Sequence, residues 1–158
     1  MELDTIKGEG KMKSNRSIWL LTFILSMLVL LAIYGFGFDF QFLKYEVNEK
    51  NQLVMYEGLS GPNPIINSDV SNEQESLSVL GTHMGRFNQW VLAAVLITPF
   101  FIASYILLFN EKRMKHHPKK KKYFSWTLAT SLIFFTLFIF IWIRYIKLIN
   151  EAYHNVLF

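Results

Sequence analysis

The chain has 158 residues, 52% of them hydrophobic, 16% aromatic and 18% charged, with a formal net charge of +4. It has no cysteine, which excludes disulfides, thiolate metal sites, iron–sulfur clusters and a cysteine nucleophile. Most of the basic excess sits in one short loop, so the charge gives no reason to expect nucleic acid as a partner.

Residues 1–17 form a polar tail in which Lys7, Lys11, Lys13 and Arg16 face Glu2, Asp4 and Glu9, with the basic residues gathered near its end. Ile18 to Phe38 follows as 21 residues without a charge. About 20 apolar residues suffice for a helix to cross a hydrocarbon core of about 30 Å. This run is longer than the apolar region of a cleavable signal peptide. Tyr34-Gly35-Phe36-Gly37-Phe38 also offers no small-residue cleavage site, so the segment reads as a retained anchor and first span. Thr22 and Ser26 lie one turn apart on it as helix-packing candidates.

Residues 39–89 hold a loop element of different composition. Phe40–Val47 and Gln52–Glu57, rich in aromatic and β-branched residues, flank Asn48-Glu49-Lys50-Asn51 and predict a β-hairpin. A lone hairpin is marginal in water, so it should lean on the membrane face or a partner. Gly58-Leu59-Ser60-Gly61-Pro62-Asn63-Pro64 reads as irregular. Ser71 and Gln74 resemble a capping box opening a short helix that ends near Gly81.

Trp90 to Phe109 is a second uncharged run, 20 residues long, with Pro99 near its midpoint. Pro99 frees the carbonyl of Val95, and an ordinary kink re-satisfied by neighbours such as Thr98 is favoured over a hinge or ion pocket. Ala93, Ala94, Ala103 and Ser104 supply small positions for close packing. The loop Glu111 to Lys122 carries seven basic residues and one acidic. Lys112, Arg113, Lys115, Lys119, Lys120, Lys121 and Lys122 thus mark a cytoplasmic loop and a candidate contact for anionic phospholipid headgroups. Tyr123 to Ile143 is the third uncharged run, with Thr127, Thr130 and Ser131 as a packing stripe. Phe134, Phe135, Phe138 and Phe140 ring its far half. A tail, 144–158, closes the chain.

The expected fold is therefore an all-α membrane protein of three transmembrane helices, with a β-hairpin-plus-helix insertion between helices 1 and 2. Residues 39–88 hold seven acidic and three basic residues, opposite in sign to the loop at 111–122. The Lys and Arg bias puts the N-terminus inside, and the 39–89 element and C-terminus outside. Lack of an N-x-[ST] sequon in the outer loop points to a bacterial cytoplasmic membrane.

Chemistry-bearing patterns are scarce. No ionisable residue lies within the three runs, which argues against a solitary pump. Asp39 and Arg144 form a candidate interfacial pair, though snorkelling explains the arginine as well. His83, His116, His117 and His154 all lie outside the spans, and H-x-x-x-H spacing is missing. No haem ligand, cofactor or metal site is expected, beyond the idea that His83 or His154 touches a cofactor on a neighbour. Glu46, Glu57, Glu73 and Glu75 read as a solvated acidic surface rather than an acid–base pair.

The reading is a non-catalytic accessory or assembly subunit of a respiratory, transport or secretion complex, with other integral membrane subunits as partners. The alternative is a stand-alone sensor, regulatory or immunity-type protein acting through the 39–89 loop. A redox subunit using His83 or His154 is a third. A reporter enzyme that works only outside the cytoplasm should be active when fused after Phe158 and inactive when fused after Lys119. Replacing Lys119–Lys122 by glutamine should blur that contrast in a paired-reporter assay.

Overall fold

The computed structural model describes residues 2–64, 69–110 and 118–157, with side chains described for 15–59, 69–110 and 118–157. The elements run α1 (Glu2–Phe38), β1 (Leu43–Val47), β2 (Leu53–Glu57), β3 (Ser60–Pro64), α2 (Gln74–Phe109) and α3 (Lys120–Leu157). Three of these helices are long and apolar enough to cross a membrane. At 1.5 Å per residue, the 36 residues of α2 and the 38 of α3 reach about 54 and 57 Å, well beyond a hydrocarbon core of about 30 Å. The chain divides into two compact units, Met1–Leu31 with Val95–Phe135, and Ala32–Ala94 with Thr136–Phe158, and each helix contributes a segment to both.

The first unit is a purely helical one. Trp19 on α1 stacks on Phe23 and meets Phe100 of α2 edge-on, at 5.4 and 5.5 Å between ring centres. Phe101 of α2 lies 5.7 Å from Phe134 of α3, and Phe109 lies 5.9 Å from Phe124. Ring contacts of this kind add to plain apolar burial. Only 6% of the most apolar window is buried for α1 and for α3, against 22% for α2, so α2 is the most enclosed helix. In this unit the half-buried positions of α3 are Lys120, Phe124, Thr127, Ser131 and Phe134, alternating four and three residues apart. That spacing makes one straight seam along the helix.

The second unit joins a three-stranded antiparallel sheet, order β1-β2-β3, to helical segments. The expected hairpin is present, with Leu43 opposite Glu57 and Val47 opposite Leu53. Its turn is held by Asn48, whose Oδ1 accepts from the amides of Lys50 and Gln52, each at 2.9 Å. Asn51 takes φ +57°, a left-handed conformation that Asn tolerates better than most residues.

The segment read as irregular instead adds a third strand. Gly58-Leu59 forms a two-residue loop with positive φ at Gly58 (+57°), the type II′ pattern that suits a hairpin. β3 then pairs Val54 with Pro64, Met55 with Asn63 and Glu57 with Ser60, with a register shift between Met55 and Glu57. Asn48 N donates to Gln52 O and Gly58 N to Phe42 O, so the even-numbered residues of β2 bond towards β1. Asn63 therefore turns its amide towards β2, and Pro64 sits where an amide would point off the free edge.

Helix α2 also differs from expectation, running unbroken from Gln74 through Gly81. The start signal is not Ser71: Glu73 precedes the helix and accepts from the Ser76 hydroxyl at 3.1 Å. A glycine within a helix costs only about 1 kcal/mol relative to alanine. At Gly81 its missing side chain makes room for Tyr45, whose ring and hydroxyl come within 3.2 Å of where a Cβ would stand. Tyr45 OH then donates to Leu77 O at 3.0 Å.

Asn88 of α2 holds the sheet at its other end. Its Oδ1 accepts from Leu43 N at 3.0 Å, and its Nδ2 donates to Leu43 O at 2.7 Å. Both backbone groups of an edge-strand residue are thereby satisfied by one side chain. The core of this unit gathers Leu43, Leu53, Val70, Leu80, Met84 and Phe87 with Ile149, Ala152 and Val156 of α3. The last three lie on one face, so the residues read as a tail continue the helix and help enclose the sheet-bearing unit.

Asn88→Ala should leave Leu43 N and O without partners and lower the unit's stability by about 1–3 kcal/mol. Asn88→Asp, nearly isosteric, should cost at least as much, because it sets a carboxylate against the Leu43 carbonyl. Thermal unfolding of the purified protein in detergent, followed by near-ultraviolet circular dichroism, checks both.

Candidate functional site

The polar side chains expected to pack the helices are placed as follows. Ser26 Oγ bonds back to Thr22 O at 2.7 Å and to Phe23 O at 3.1 Å, within its own helix. Thr22 and Thr127 are half-buried, and Pro99 is fully buried. Ser131 Oγ lies 2.8 Å from Tyr105 OH, a hydrogen bond joining α3 to α2. A second interhelical bond was not foreseen: Trp19 Nε1 donates to Ser104 Oγ at 3.1 Å, and that hydroxyl donates to Phe100 O at 2.8 Å. The Ser26, Ser104, Ser131 and Trp19 side chains each find a partner, as buried polar groups in an apolar bundle must.

Lys112, Arg113, Lys115, His116 and His117 fall outside the described residues. Lys119 precedes α3, and Lys120, Lys121 and Lys122 form its first turn. Asp39 sits just past the end of α1 at φ +49°, and Arg144 lies exposed on α3. Lys44 and Glu46, and Lys147 and Glu151, are ion-paired at 2.7 and 3.9 Å. His83 is half-buried, with Nδ1 enclosed and without a hydrogen-bond partner. His154 lines a shallow groove on α3 with Trp142, Ile146 and Asn150. No group of three metal-ligating side chains occurs among the described residues.

Two surface features of the sheet-bearing unit stand out. The first is polar. Lys44 Nζ sits 5.2 Å from the centre of the Tyr56 ring while pairing with Glu46, and Tyr56 OH donates to Glu46 Oε2 at 2.9 Å. Lys44 and Tyr56 are cross-strand partners, and Glu46 is two residues along β1, so all three share one sheet face. The hydrogen bond and charge of Lys44 hold the Glu46 carboxyl below its ordinary value, with Tyr56 helping. The same contacts raise Lys44, and the bond to Glu46 raises the Tyr56 phenol.

The second feature is apolar. Phe36 on the last turn of α1 is 96% exposed, Leu59 in the β2–β3 loop is 78% exposed, and Phe40 is 55% exposed. Phe40 and Leu59 are each set against a glycine near the end of α1. Leu59 Cδ2 lies 3.9 Å from where a Cβ on Gly37 would stand. Asp39 and Phe40 both take left-handed φ, which folds the Phe40 ring back over Gly35, 2.8 Å from an ideal Cβ position there. No sequence rule foresees two consecutive non-glycine residues in that conformation.

No family model, curated protein or solved structure matches the chain.

For the polar trio the sign of the pH dependence follows from the shifts. Glu46, held low, contributes stability above the ordinary carboxylate value and loses it as pH falls through its lowered one. Lys44, held high, contributes below the ordinary ammonium value and loses it as pH rises through its raised one. In an absorbance titration read as the difference from Tyr56→Phe, the Tyr56 phenol should titrate above the ordinary 10.0 and return towards it with Glu46→Gln.

Proposed function

We propose that this chain is a non-catalytic accessory or assembly subunit of a larger membrane complex, respiratory, transport or secretory in kind. The apolar group Phe36, Phe40 and Leu59 supplies its contact with a neighbouring integral membrane subunit. What carries the reading is the exposure of these three large side chains beside a core that is already closed without them. Phe40 and Leu59 lie beyond the first span, and leaving such side chains in water is unfavourable, so they mark a surface made to be covered. Four polar contacts hold the fold: Asn88 on Leu43, Tyr45 on Leu77, Trp19 on Ser104 and Tyr105 on Ser131. The charge distribution supports a bacterial cytoplasmic membrane orientation with the N-terminus inside and the sheet-bearing unit outside.

Extraction of the tagged protein in mild detergent should bring down other membrane subunits in fixed ratio, identified by mass spectrometry. Phe36→Ser with Leu59→Ser should lose them while the circular dichroism spectrum stays that of the parent. A chain that purifies alone overturns the accessory role and leaves a stand-alone sensor or immunity-type protein acting through 39–89. Partners retained by the double variant would move the contact elsewhere on the molecule.

A further inference from the structure

The helical unit, Met1–Leu31 with Val95–Phe135, carries eleven Lys and Arg against four Asp and Glu in its sequence. Its described side chains include five cations, Arg16 and Lys119 to Lys122, and not one aspartate or glutamate. In sequence, no acidic residue occurs between Glu111 and Glu151. The position of the lysines sharpens this. Three of them occupy the first turn of α3, which contains no acidic residue. A helix N-terminus already carries about half a positive charge from its aligned peptide dipoles, so cations there are repelled by the helix that holds them. An anion brought to this end of α3 meets both the lysine cluster and the positive end of the helix dipole.

The next turn says what kind of anion. Trp126 follows Lys122 by four residues, on the same helix face, and is 64% exposed, with Tyr123 also exposed beside it. Exposed Trp and Tyr at the end of an apolar helix occupy the headgroup level of a bilayer. Lysine stems there lie along apolar surface and lift their ammonium groups to the phosphates. A basic cluster directly bordering a span, with an aromatic belt below it, matches a leaflet of anionic phospholipid in both charge and depth.

We propose that Lys119–Lys122, with Trp126 beneath them, form a binding surface for anionic phospholipid headgroups, selecting these over zwitterionic lipid around the end of α3. The surface is independent of the apolar group formed by Phe36, Phe40 and Leu59. The phosphodiester and its bilayer are both required, so free phosphate does not replace them.

The test uses Trp126 as its own reporter. The full chain carrying Trp19→Phe, Trp90→Phe and Trp142→Phe keeps Trp126 as its sole tryptophan. It is reconstituted into vesicles with brominated phosphatidylglycerol or brominated phosphatidylcholine at equal mole fraction. The relative association constant from fluorescence quenching should favour the anionic lipid by at least about threefold. It should fall towards one with Lys119→Gln, Lys120→Gln, Lys121→Gln and Lys122→Gln together, and weaken as salt is raised. About 10 mM inorganic phosphate should leave it unchanged. Equal quenching by the two lipids overturns the proposal, as does a preference that survives the four glutamines or is abolished by free phosphate. If the tryptophan variant fails to fold, the unmodified chain decides the matter. Phosphatidylglycerol should be enriched over phosphatidylcholine in the lipid retained through detergent purification from mixed vesicles, and the absence of enrichment overturns the proposal.

Discussion

The grip of Asn88 on Leu43 brings a β-sheet and a long apolar helix into one folded unit. A three-stranded sheet of five-residue strands has little core of its own, and its outer strand must lose water from its backbone groups if anything packs beside it. Asn88 meets that demand with one amide, which accepts from the Leu43 amide and donates to its carbonyl. With β1 fixed, Tyr45 faces the gap at Gly81, and its hydroxyl finds Leu77 one turn back towards the start of α2. Phe42 then meets Phe87 and Trp142 at 6.1 and 5.4 Å, which draws α3 into the same cluster.

The helical unit follows a different economy. Its interior must be apolar to suit a bilayer, so association between helices depends on close packing and on a few polar bonds. Trp19 to Ser104 and Tyr105 to Ser131 are such bonds, one for each neighbour of α2. In both, a long aromatic donor or acceptor reaches a small hydroxyl on the facing helix. Each serine also bonds to a carbonyl of its own helix, so no hydroxyl is left without a partner.

Much of this architecture was legible in the sequence because it rests on length and charge. Three uncharged runs of about 20 residues mean three apolar helices, and Asn48 to Asn51 is a turn by the chemistry of its side chains. What escaped was whatever depends on residues distant in sequence. Pro62 and Pro64 look like loop residues until β2 is known to offer an edge on which they can lie. Gly81 looks like a stop until Tyr45 is found occupying the space above it. The tail after Arg144 looks polar, but Ile149, Ala152 and Val156 form a stripe that becomes visible only once there is a core for it to cover. Among the candidate site residues, the hydroxyl positions could be chosen by type. The tryptophan and tyrosine that reach two of those helix contacts could not, since aromatic residues serve equally as lipid-facing surface.

The proline at position 64 has a consequence for life in a crowded membrane. Many copies of a multi-span protein share one plane, held at like heights and orientations, which is the arrangement in which exposed sheet borders most readily template one another. An adjoining strand grows by exchanging amide hydrogens for carbonyl oxygens along such a border. At Pro64 the border of β3 has an oxygen to offer and no hydrogen, so a second copy arriving there meets an incomplete ladder. The sheet is thus finished at three strands by its own chemistry, and copies can be concentrated in the membrane without this border seeding a fibre.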